Sequence, residues 1–133
     1  MNSHTLLHRQ VNPTFIRYDK TSLQAFMPTS QVFCPTDKDH NMLSISNGDQ
    51  ITAEQAYRRF VDIPLGKSIG VLSVLVEECQ SLEVPAVSDP TPEQPDHCFI
   101  DFRDINSKSQ AEKIATRLRN FAIARGWSHR EMQ

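Results

Sequence analysis

Glycine and cysteine are both scarce in this chain of 133 residues. With four glycines, no glycine-rich loop can be built to turn successive backbone N–H groups onto a phosphate. Three cysteines, Cys34, Cys79 and Cys98, stand at irregular spacing, which argues against a disulfide framework and for a reducing compartment. The longest apolar stretch, residues 69–76, falls far short of the ~20 residues that cross a bilayer. The opening MNSHTLLHRQV has no apolar core of a signal peptide, so a cytoplasmic chain with no membrane partner is expected. Lysine and arginine are missing altogether from residues 68–102, while that span holds Glu77, Glu78, Glu83, Asp89, Glu93, Asp96 and Asp101.

What is present completes the charge pattern. From Arg103 onward the sign reverses, with Lys108, Lys113, Arg117, Arg119, Arg125 and Arg130 against Asp104, Glu112 and Glu131. The net charge of −2 does not mark the whole molecule as a nucleic-acid binder. An acidic middle against a basic end speaks of partners and internal pairing.

Length and a hydrophobic content of 38% fit one ordinary domain that holds a core without metal or disulfides. Strands are expected at residues 6–11, 42–46, 69–74 and 97–102, from alternation and β-branched content, with a short extended piece at 15–18 and a segment at 23–27 that stops at Pro28. Thr52 and Gln55 form a capping box ahead of Ala53, Ala56, Tyr57, Phe60 and Val61, one face of a helix that Pro64 and Gly66 end. A short helix is expected at 76–82. A long one runs from a cap at Asn106 or Ser107 to Arg125, burying Ala111, Ile114, Ala115, Leu118 and Phe121 or Ala122, with Gly126 as its stop. Pro85, Pro90, Pro92 and Pro95 make residues 84–96 a loop or extended surface crossing. The expected product is a single α+β domain over residues 1–127, a sheet of four or five short strands packed by two main helices on one face, with 128–133 frayed and Trp127 folded back.

Few motifs carry chemistry. Asp37-Lys38-Asp39-His40-Asn41 starts like a calcium loop, but Met42 stands where a glycine turns the chain and Gly48 where a glutamate belongs. Cys34, His40, Cys79, His97 and Cys98 include no zinc-type pair. No metal or cofactor is implied. Cys98 reads as a small core residue. Three readings of function remain. The first is a non-catalytic protein-binding module, of antitoxin or defence-accessory type. In it, Glu83, Asp89, Glu93 and Asp96 on the proline-bearing span meet a partner with a basic surface. The second is a small transferase or hydrolase with a polar site at His8, Arg9 and His97, oriented by Asp101. The third is nucleic-acid binding through Lys113 and Arg117 on the last helix.

Two resemblances bear on these readings. Leu7-His8-Arg9-Gln10-Val11, Leu23 to Thr29, Leu43-Ser44-Ile45 with Gly48 to Glu54, and Pro95-Asp96-His97 with Ile100-Asp101 together resemble a family of small bacterial proteins without an assigned activity. More loosely, a basic residue in the first strand followed by Ser-x-x-Ala-Phe (Ser22 to Phe26) is similar to the start of ADP-ribosyltransferase-like folds. Those folds imply a late glutamate in a Gln/Glu-x-Glu context, which Glu77-Glu78 does not supply.

Overall fold

The structure is a computed structural model, and it describes residues 1–17, 27–64 and 66–131. Most of the expected segment 23–27, and the Ser22 to Phe26 motif with it, lies outside the described residues. The chain forms β1 (Leu6–Gln10), β2 (Ile16–Arg17), β3 (Met27–Pro28), β4 (Met42–Asn47), α1 (Ala53–Val61), β5 (Gly70–Leu75), α2 (Val76–Ser81), β6 (Ala86–Ser88), β7 (His97–Asp101), α3 (Lys108–Arg125) and β8 (His129–Arg130). It is an α+β domain. The main sheet has six strands in the order β6-β7-β4-β1-β5-β8, and β2 pairs with β3 separately.

Every ladder is antiparallel. β4 and β5 both oppose β1, so they run parallel to each other with β1 between them. The connection between them must therefore cross a face of the sheet, and α1 makes that crossing. Its start follows the sequence: Thr52 Oγ1 accepts from Gln55 N at 3.1 Å, and Gln55 Oε1 accepts from Thr52 N at 3.0 Å. α3 begins similarly, with Ser107 Oγ accepting from Gln110 N at 3.1 Å.

Strand alternation then sorts the side chains. Leu7, Leu43, Ile45, Leu72, Val74, Cys98 and Ile100 face one way and join Val32, Phe33, Phe102, Ala115, Leu118 and Ala122 in the main core. Each fully buried leucine, isoleucine or phenylalanine there contributes about 1.5–3 kcal/mol. α2 and α3 cover this face through Val76, Cys79, Leu118 and Ala122. His8, Gln10, Val71 and Ser73 face the other way, where α1 lays Ala53 and Ala56 over β1 and β5. The helices thus occupy both faces, not one. The reason is that one crossing joins parallel strands over the polar side while the long helix must bury its own stripe against the apolar side. Phe121 is 37% exposed, and Ala122 takes the inward position.

Two segments correct the sequence reading. The proline-bearing span contains β6, whose Ala86, Val87 and Ser88 pair with Ile100, Phe99 and Cys98. Pro85 and Pro90 flank this short edge strand without occupying a position that must donate. The end of the chain does not fray over 128–131. Ser128 N donates to Val71 O at 2.9 Å, Glu131 N to Ile69 O at 2.9 Å, and His129 and Arg130 form β8 on the edge of β5. Trp127 folds back onto the core as expected, under the Arg130 guanidinium.

β8 needs close approach at Gly70. A Cβ there would lie 2.5 Å from His129 O and 2.9 Å from the Trp127 ring. Gly70→Ala is therefore expected to lower stability by about 1–3 kcal/mol, and amide exchange of Ser128 and Glu131 should speed up more than that of β7. Equal stability with protected Ser128 and Glu131 amides would contradict this packing.

Candidate functional site

β1 and β4 stay together only briefly. Their ladder pairs Leu7 with Asn47 and His8 with Ser46, whereas β1–β5 runs from Leu6–Leu75 to Gln10–Val71 and β4–β7 from Met42–Asp101 to Ser46–His97. Beyond His8 the two central strands part. The half-buried Arg9 side chain fills the gap: its Nε donates to Val32 O at 2.9 Å and its Nη1 to Ser44 O at 3.0 Å. Desolvation pushes the guanidinium below its usual range, with Asp39 acting the other way. It remains a cation nonetheless. Among the described residues no carboxylate comes within ion-pair distance of it.

The parted strands open a groove of about 430 Å³ between the sheet and α1. Its floor carries His8, Arg9, Gln10, Ser44 and Ser46, α1 contributes Ala56, Arg59, Phe60 and Ile63, and Asn12, Phe15, Lys67, Gln94 and His97 complete the rim. Among the described residues three cations and two imidazoles line it, and no carboxylate does. Gln10 Oε1 is a buried acceptor with no hydrogen-bond partner among the described residues. Such an atom costs about 1–3 kcal/mol unless water or a ligand donates to it.

Arg59 is committed. Its Nη1 and Nη2 donate to Asp96 Oδ1 and Oδ2 at 2.6 and 2.8 Å. Asp96 O also accepts from Asn47 N at 2.9 Å. This fork ties α1 to the entrance of β7 and fixes one end of the groove. The same hydrogen bonds hold the Asp96 carboxyl below its usual range and raise Arg59 above its own.

His8 is held as well. Its Nδ1 lies 2.7 Å from Ser73 Oγ, which lies 2.6 Å from Ser128 Oγ. Burial pushes the imidazole below its usual value of 6.5, against a backbone hydrogen bond at Ile51. A Cβ on Gly48 would approach His8 Nε2 to 3.0 Å, so the turn after β4 packs directly on the ring. His97 has a freer setting. Its Nδ1 lies 3.0 Å from Asp89 O and 3.2 Å from Asp89 Oδ2, and its Nε2 lies 3.3 Å from Ser44 Oγ.

The sequence-derived sites divide accordingly. His8 and His97 lie on one face, each opposite Ser46, and both line the groove with Arg9. Asp101 does not join them. It sits at the far end of β7, where Arg103 Nε donates to its Oδ1 at 2.9 Å and holds its carboxyl down. Asp96 is 4% exposed and internally paired, so it cannot serve as a surface contact as expected. Asp89 is turned toward His97. Glu83 and Glu93 are exposed, Glu83 in the left-handed region at φ 62 after α2. Lys113 and Arg117 are exposed on α3. The acidic span and the basic helix meet through Arg125, whose Nη2 lies 3.0 Å from Glu78 Oε2. Burial pushes Cys79 and Cys98 up to about 12, which leaves neither as a thiolate nucleophile at neutral pH. Ser44, Arg59, Lys67 and Gln10 are lining residues that the sequence reading did not single out. The alternation Met42, Ser44, Ser46 was a visible signal that a polar strand face is open.

No family model, curated protein or solved structure matches this chain. The groove's residues therefore carry the functional argument.

Acid should weaken this site from two sides. The Asp96–Arg59 pair stabilises the fold fully above the ordinary aspartate range, near ~3.9, and its contribution is lost as pH falls through the lowered folded value. His8 refuses a proton that the unfolded chain accepts below about 6.5, so stability also falls as pH drops from there toward its lowered folded value. Asp96→Asn is expected to cost about 2 kcal/mol at pH 7, a value reduced because Arg59 is one-third exposed. Urea titrations should show that difference shrinking toward pH 3. A pH-independent difference would contradict the ion-pair assignment.

Proposed function

We propose that this protein binds a small anionic ligand, one bearing a phosphate or carboxylate group, in the groove between β1, β4 and α1. The observation that carries this reading is the lining itself, where, among the described residues, Arg9, Lys67 and Arg59 stand with His8 and His97 and no carboxylate. A pocket of this volume falls in the ordinary range for small-molecule sites, about 300–1,000 Å³. Phe15, Phe60 and Ile63 give it an apolar wall, and Gln10 and Asn12 are polar residues of its lining. A cation whose hydrogen bonds, among the described residues, go only to carbonyls still has its charge to offer an anion.

This choice keeps the polar site at His8, Arg9 and His97 and replaces Asp101. The protein-binding reading has less support, because Asp96 and Asp89 have partners inside the chain. The nucleic-acid reading rests on Lys113 and Arg117, far in the sequence from the groove and on the helix that covers the other face.

Titration of the protein with inorganic phosphate and with phenyl phosphate, followed by amide NMR, tests the proposal. Shifts are expected at Arg9, Gln10, Ser44 and His97. Lys67→Ala, an exposed substitution, should weaken binding roughly three- to tenfold with unchanged stability. No binding, or shifts confined to α3, would overturn it.

A further inference from the structure

From the geometry at the mouth of the groove we infer that Ser44, His97 and Asp89 form a nucleophilic relay that cleaves carboxylic esters carrying an anionic group. The inference rests on the groove as the anion site. Ser44 lies on β4 opposite Phe99, and His97 reaches it diagonally from the adjacent strand, on the same face. Asp89 follows β6, and its N–H donates to His97 O at 2.9 Å, so its side chain and the ring are held side by side.

The hydrogen bonds settle the tautomer. His97 Nδ1 faces two acceptors, Asp89 O at 3.0 Å and Asp89 Oδ2 at 3.2 Å. Neither atom can donate, so Nδ1 carries the ring proton. Nε2 of the neutral ring then holds a lone pair, and Ser44 Oγ, 3.3 Å away, must be the donor to it. A hydroxyl that donates to an imidazole oriented by a carboxylate has the arrangement required of an activated serine, whatever the fold. Ser44 is exposed and lines the groove. Arg9 Nη1 donates to the backbone carbonyl of the same residue at 3.0 Å, which fixes this stretch of β4.

The step follows. Ser44 Oγ bonds to the ester carbonyl carbon as its proton passes to His97 Nε2. The carbonyl oxygen takes the electron pair. Collapse of this intermediate breaks the bond to the alcohol oxygen, which leaves with the proton from His97. A water molecule then gives a proton to Nε2 and attacks the acyl carbon, and Ser44 departs taking that proton back. Ester and water become carboxylic acid and alcohol, with no oxidant or metal needed. Asp89 is a positioning residue in this scheme and touches no reacting atom.

The test uses the full chain with a fluorophosphonate probe and with mono-p-nitrophenyl succinate. Mass spectrometry should find the phosphonyl adduct on Ser44, formed with loss of fluoride and absent after denaturation. Ser44→Ala should abolish the adduct and lower ester turnover at least ~100-fold. Asp89→Asn should lower kcat about tenfold or more with KM and thermal midpoint unchanged, a split that a purely structural role would not produce. Absence of a Ser44 adduct and of turnover, with phosphate binding intact, would overturn the relay and leave the groove reading standing. Loss of phosphate binding as well would remove both. Labelling of a different serine would also overturn it.

Discussion

The arrangement depends on one buried-side cation that bridges backbone carbonyls where two central strands separate. Arg9 donates to Val32 O and Ser44 O, so it joins β1, β4 and the short 3₁₀ turn Ser30–Phe33 at a point where no strand ladder can. Without it, the carbonyl of Ser44 on the β1 side would lose its charged donor. The separation of the strands creates the groove, and the residue that bridges them is one of the cations that line it.

Much of the fold could be read locally. The capping box at Thr52 and Gln55, the Ser107 cap with Gly126 as stop, and the alternation in Leu6–Gln10 and Met42–Asn47 involve neighbours in sequence, and each element formed where expected. β6 and β8 were not legible. Each is an edge strand of two or three residues that exists only because a longer neighbour offers free N–H and C=O groups. Prolines around β6 and the chain's end around β8 made both look irregular. The splitting of α1 and α3 between faces likewise depends on β1 lying between β4 and β5, a long-range pairing without a local signature.

The site was legible by residue type and not by geometry. His8, Arg9 and His97 stood out as polar groups on strands. Parity alone favoured Asp101 as an orienter for His97. Four residues along a strand is about 13 Å, however, and the carboxylate that reaches the ring is Asp89, brought back by the hairpin between β6 and β7. Asp96 was misread for a similar reason. Its proline-rich neighbourhood suggests surface, while Arg59, from a helix 37 residues away, draws it inside. Charge patterning correctly marked 68–102 as unusual, but its carboxylates serve several purposes. Glu78 ties α2 to α3, Asp96 anchors α1, and Asp89 orients His97.

The central claim is that Arg9 both bridges the parted strands and charges the groove. Arg9→Met, which keeps the length of the side chain and removes its donors, measures this most directly. The account predicts a loss of about 2–4 kcal/mol in urea unfolding at pH 7, since two carbonyls lose charged donors, together with faster amide exchange along the β1–β4 seam and unchanged exchange between β4 and β7. An Arg9→Met protein as stable as the parent, with the seam equally protected, would contradict it.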